Sequence, residues 1–181
     1  MKLLVTVAAM MSVCALVAAC SLVERAMPGA TMSDADLLGV WHTINHSEID
    51  AGQLARDRAS SEEVLAYASR MVHDHQMHMQ DADRLAHRIR MEPRKPALAS
   101  TFENAHQKAM EELRDNAGLN FDKSYIGYQI TLHQQAINLV KDAVEWVNDP
   151  QVKRFLGEAV PDLQSHLEAA QSVQRRILNN R

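Results

Sequence analysis

Four residues able to gain or lose a proton stand where apolar side chains are expected: Glu48, His75, His133 and His166. Each interrupts a stripe in which apolar residues recur at alternating four- and three-residue spacing. The first stripe is Leu37, Trp41, Ile44, Glu48, Ala51, Ala55, and the second is Val64, Ala68, Met71, His75, His78, Ala82, Leu85, Ile89. The third is Ile126, Ile130, His133, Ile137, Val140, Val144, Val147, and the fourth is Leu156, Ala159, Leu163, His166, Ala170, Val173, Ile177. This spacing is the inward seam of a left-handed helical bundle. A carboxylate or imidazole on such a seam is costly to bury without a partner. Four of them, one per helix, are therefore expected to be partners of one another.

One carboxylate and three imidazoles form a donor set for a single transition-metal ion, zinc or copper before di-iron. Carboxylate-bridged di-iron bundles need Glu-x-x-His on two helices. Here Val72 stands three residues before His75 and Leu163 three before His166, so that motif is missing from the seam. Asp74 adjoins His75 and could orient an imidazole from outside, while His78, about one turn beyond, is the extra donor. Met71 and Met79 flank this region. His42 and His46 lie off the core stripe, and His73, His87 and His106 read as surface or packing residues. Two other readings compete. A buried Glu–His hydrogen-bond cluster would fix helix register and bind nothing. Three histidines plus a water would serve a metallo-hydrolase or oxidase, with Glu48 as general base.

The elements that must position these residues are all helical. Ser33 with Asp36 reads as a capping box opening a helix that runs to about Ala59. Ser60 with Glu63 is a second box, for a helix to about Met91, stopped by Glu92-Pro93-Arg94-Lys95-Pro96. Ser100 with Glu103 is a third, for a shorter helix ending at Gly118. Asn120-Phe121-Asp122 starts a long helix to about Val147, and Asn148-Asp149-Pro150 turns into a last helix to about Asn179, broken or kinked at Pro161. Glu48 lies about a dozen residues before the first turn and His75 about fifteen after it; His133 and His166 flank the Asn148 turn by about fifteen and eighteen. At roughly 1.5 Å of rise per residue, the members of each hairpin share one layer within about a turn. Val64, Tyr67 and His75 are echoed by Val152, Phe155 and His166, as in a duplicated hairpin.

Residues 1–19 read as an export signal: Lys2, an apolar run, then Leu16-Val17-Ala18-Ala19 before Cys20. The small residues before a cysteine resemble a bacterial lipobox, which makes Cys20 the lipidation site and residues 20–33 a tether. Ser21 after that cysteine resembles lipoproteins sorted to the outer membrane. With Cys14 removed and Cys20 acylated, no thiol remains for disulfides, thiolate metal sites or nucleophilic catalysis. The formal net charge is −4, and Lys2 is the only charge lost with the signal, so nucleic acid is not the expected partner. Aromatics make up only 4% of the 181 residues, a composition suited to one helical domain over residues 34–179.

The pattern resembles a bacterial ferritin-like family, domain of unknown function 4142, whose members carry the label of outer membrane protein. The resemblance rests on Ser47-Glu48-Ile49 with Gln53-Leu54-Ala55, on Met71-Val72-His73-Asp74-His75, and on Phe121-Asp122 with Tyr125 and His133. It continues through Asp149-Pro150, Phe155, Pro161, Leu163 and His166-Leu167. It implies an exported four-helix bundle with short extra helices, with Glu48, Asp74, His75, His133 and His166 on motif positions, and no established activity. His42, His46 and His78 are extra to that pattern. The expected protein is thus an all-α, ferritin-like four-helix bundle with an additional short helix and a kinked last helix. It is anchored by lipid on Cys20 to the outer membrane, facing the periplasm, and binds a transition metal or small ligand without catalysis. An envelope structural or interaction protein is the alternative.

Overall fold

The computed structural model describes residues 32–179, so the expected export signal and Cys20, the expected lipidation site, lie outside the described residues. Five helices follow in order: α1 (Asp34–Arg58), α2 (Glu62–Ile89), α3 (Ala97–Asp115), α4 (Gly118–Trp146) and α5 (Pro150–Asn179). Helices α1 and α2 pack as one hairpin and α4 and α5 as another. Contacts of α1 with α4 and of α2 with α5 close the four long helices into a ring. The shorter α3 carries the chain from the first hairpin to the second, lying on α1 and α4. The architecture is the all-α bundle that the seam spacing requires. Among the described residues no helix is long and apolar enough to cross a membrane.

The Ser33–Asp36 capping box forms as expected: the Asp36 carboxylate accepts from Ser33 N at 2.8 Å and Ser33 Oγ accepts from Asp36 N at 3.2 Å. The second box does not form. Helix α2 begins at Glu62, and its entry is held from across the fold by Asp122. That carboxylate accepts from Ser60 N, Ser60 Oγ and Ser61 N at 3.0, 2.5 and 2.9 Å. Nor does Ser100 cap α3, which starts at Ala97 behind Pro96. Leu98 and Ala99 are buried, so tertiary packing draws that earlier turn into the helix. Helix α4 opens at Gly118, whose φ of 55° is readily available only without a side chain.

Pro161 does not break α5, which runs unbroken from Pro150 to Asn179. The donor that proline lacks would have bonded the carbonyl of Gly157, an exposed residue where water can substitute. The start of α5 is held by Asp34, whose carboxylate accepts from Asn148 N at 3.1 Å and Asp149 N at 2.6 Å.

The α2–α3 connection crosses α1 at Gly39. A Cβ there would stand 1.6 Å from the Arg94 carbonyl oxygen. Arg94 N donates to Ala35 O at 2.9 Å, pinning that crossing.

Candidate metal centre

All four seam residues are buried in one polar layer. Glu48, His75, His133 and His166 are each 1% exposed. The three imidazoles form a nearly even triangle: ring centroids are 5.5 Å apart for His75–His133, 5.3 Å for His75–His166 and 5.3 Å for His133–His166. One ring nitrogen of each lies within 4.8 Å of the other two.

The partner behind each ring identifies its free nitrogen. His75 Nδ1 is 2.8 Å from Asn45 Oδ1. The Asn45 amide nitrogen donates to the Trp41 carbonyl at 2.7 Å, so its oxygen is the acceptor and His75 Nδ1 carries the proton. His133 Nδ1 is 3.0 Å from the Gln129 carbonyl oxygen, which can only accept. His166 Nε2 is 3.0 Å from Asp74 Oδ2, which also takes Arg70 Nε at 3.1 Å. The remaining nitrogens, His75 Nε2, His133 Nε2 and His166 Nδ1, are buried and have no partner. Three acceptor lone pairs are thus left without protein partners in the core.

The electrostatics keep those lone pairs bare. Burial drives His133 down to about 3, aided by the nearby His166 and resisted by the Gln129 carbonyl. Burial and the neighbouring imidazoles hold His75 well below the usual histidine value. Burial lowers His166 too, against the pull of Asp74. At Asp74 burial disfavours the ionised form, but the hydrogen bonds from His166 and Arg70 outweigh it and hold it below the usual carboxylate range.

Glu48 is brought into the layer at the side of His133. Its Oε1 lies 3.1 Å from His133 Nδ1, the nitrogen already facing the Gln129 carbonyl, and its Oε2 has no partner. Among the described residues no arginine pairs with it: Arg70 pairs with Asp74 and Arg84 with Asp81. Burial pushes the carboxyl up to about 8, against a smaller opposing pull from Gln129. The three tyrosines Tyr67, Tyr125 and Tyr128 are raised first by burial; Glu48 is the next cause at Tyr67 and Tyr128, while at Tyr125 it comes after Tyr67. Tyr67 donates to Gln129 Oε1 at 3.1 Å.

Asp74, expected beside its neighbour His75, hydrogen-bonds the ring of His166 on α5 instead. His78 stacks edge-on to His75 at 5.5 Å and lies 6.2 Å from His166. Its Nε2 is 3.5 Å from Asp162 Oδ2, and its Nδ1 is buried and free of partners. His42 faces Asp83 at 3.3 Å, away from the triangle. His46, His73 and His87 are exposed. His106, expected at the surface or in packing, is half-buried and links Asp50 and Tyr128, at 2.9 and 2.8 Å. Asn45 and Gln129 escaped the sequence reading. Their only signal was spacing, three residues before Glu48 and four before His133.

A model of the family described as "Domain of unknown function (DUF4142)" matches residues 21–173. A solved structure from Streptomyces coelicolor, described as a candidate secreted protein, DUF305, superposes with a TM-score of 0.68 at 15% identity. The match covers 80% of this chain and 93% of that one. At that identity the likeness concerns the fold alone. Comparison with curated proteins gives no match.

Proposed function

We propose that this chain, which belongs to the DUF4142 family, binds one transition-metal ion through His75, His133 and His166, with zinc or copper as the occupant. One observation carries the reading: one nitrogen of each buried imidazole lies within 4.8 Å of one on each of the other two, and each ring has one nitrogen without a partner while the other is held by Asn45, Gln129 or Asp74. That is the way proteins orient metal-binding histidines. A cation about 2.1 Å from each nitrogen asks for nitrogens roughly 3.4 Å apart, inside the observed limit.

A cluster built only to set register would close its hydrogen bonds on itself. Here each ring keeps one nitrogen without a hydrogen-bond partner, and a cation would satisfy all three. Glu48 is the nearest group able to balance the added charge, either from behind His133 or, after a side-chain rotation, as a fourth ligand. The converging atoms include no carboxylate, which speaks against di-iron chemistry.

The role is metal handling or stress tolerance in the cell envelope, without catalysis. The protein is exported and lipid-anchored through Cys20, at the outer membrane facing the periplasm. The lipobox-like Leu16 to Cys20 segment supports the anchor, and the secreted description of the structural neighbour is in keeping with export.

Calorimetric titration with zinc and with copper(II), on protein purified without an affinity-metal step, is expected to give one equivalent bound. His75→Ala, His133→Ala and His166→Ala should each abolish it. Retention of one tight equivalent in all three variants sinks the reading.

A further inference from the structure

Of the neighbouring pairs in the ring, α2 and α5 touch least, and between them a cleft of about 450 Å³ opens to solvent. That volume is in the range of small-molecule sites. Trp41 and Phe155 line it, edge to face at 5.6 Å, together with Leu85 and Ala159. His78 forms a wall shared with the imidazole triangle.

Two polar atoms of these lining residues are buried without partners, Trp41 Nε1 and His78 Nδ1. An indole nitrogen can only donate. His78 presents Nε2 to the Asp162 carboxylate, so its proton belongs there and Nδ1 is an acceptor. The two rings are neighbours, with centroids 5.8 Å apart. One donor beside one acceptor is matched by a hydroxyl, which accepts from the indole and donates to the imidazole.

The charges around the cleft narrow the choice further. Three acids and three arginines line it. Asp81 is paired with Arg84, which leaves the guanidiniums of Arg88 and Arg154 with the carboxylates of Glu158 and of Asp162, the latter beside the neutral His78. Among the described residues Arg88 donates to the neutral Gln151, at 3.3 Å.

We propose that this cleft binds a small hydroxylated aromatic acid, its ring lying on Trp41 and Phe155, its hydroxyl between Trp41 Nε1 and His78 Nδ1, and its carboxylate on Arg88 and Arg154. Planar, forked guanidinium groups suit a carboxylate, and aromatic side chains suit a flat apolar body. The site stands independently of any metal at the triangle.

The experiment is a calorimetric titration of chelator-treated protein with 4-hydroxybenzoate, benzoate and 4-hydroxybenzyl alcohol. The expected result is saturable one-to-one binding of 4-hydroxybenzoate, at least about tenfold weaker for the analogue lacking the hydroxyl and for the one lacking the carboxylate. Arg154 is exposed, so Arg154→Glu should fold with an unchanged Tm and lose at least about tenfold in affinity. His133→Ala should bind 4-hydroxybenzoate as the parent does, which separates this site from the metal reading. No binding, equal binding of the three compounds, or binding unchanged in Arg154→Glu overturns the proposal.

Discussion

Asn45 holds the ring of His75 across the α1–α2 interface. Its side-chain oxygen lies 2.8 Å from His75 Nδ1, and its amide nitrogen is committed to the Trp41 carbonyl at 2.7 Å. The amide therefore cannot flip without losing a buried hydrogen bond, and His75 is confined to the tautomer that leaves Nε2 bare. Asn45→Ala frees both. We predict that it lowers zinc affinity roughly 10–100-fold while one equivalent still binds, as for other groups that orient metal-bound histidines. Competition with a chromophoric chelator measures this; an unchanged affinity shows that Asn45 has no part in positioning the ligand.

The metal-free protein should be most stable near pH 6.5. The folded imidazoles stay neutral below the usual histidine value of 6.5, with His133 held to about 3. The unfolded chain therefore binds more protons there, and stability falls as pH drops through 6.5. Glu48 acts in the opposite sense. Raised from 4.5 to about 8, it contributes stability that is complete below 4.5 and lost as pH rises toward 8. Between 4.5 and 6.5 three imidazoles outweigh one carboxyl; above 6.5 Glu48 acts alone, at roughly 1.4 kcal/mol per pH unit at most. Urea unfolding across pH 5–9 checks the shape, and Glu48→Gln should flatten the limb above pH 6.5.

Metal should stabilise the fold by binding the native state alone. With free zinc at 100 times Kd the gain is about 2.7 kcal/mol, which for a domain of this size is a Tm rise of several degrees. A chelator should reverse it. His166→Ala should show no zinc-dependent shift, although the variant without metal still melts cooperatively. Differential scanning calorimetry with and without zinc decides the matter.

Two glycines should respond oppositely to the same substitution. At Gly39 a methyl group would collide with the Arg94 carbonyl oxygen, backbone that cannot swing aside. Gly39→Ala should therefore cost about 1–3 kcal/mol. At Gly127 nothing lies within 4 Å of the added Cβ, and alanine is the better helix former by about 0.5–1 kcal/mol. Gly127→Ala should raise Tm and Gly39→Ala should lower it.

Much of the architecture was legible in the chain because burial imposes a period. Leu37, Trp41, Ile44 and Ala51 are buried at the predicted spacing, as are Leu156, Leu163, Ala170 and Val173, and together they account for the helical hairpins. The local signals were less reliable. Ser60 and Ser100 each carry a capping motif, yet Asp122 serves the first helix entry and buried Leu98 and Ala99 extend the second. Pro161, where a break or a kink was expected, lies inside an unbroken α5.

For the site, the sequence by itself determined that Glu48, His75, His133 and His166 face inward at one depth, because the seam has a fixed period and the rise per residue is constant. Only the tertiary structure decided which ring nitrogen each histidine turns toward the others. That choice depends on partners that are distant in the chain, such as Asn45 for His75 and Asp74 for His166. It also set Glu48 against His133 and opened the cleft beside His78. Spacing along a helix specifies a face; the direction of a hydrogen bond and the shape of a gap arise only when helices from different parts of the chain meet.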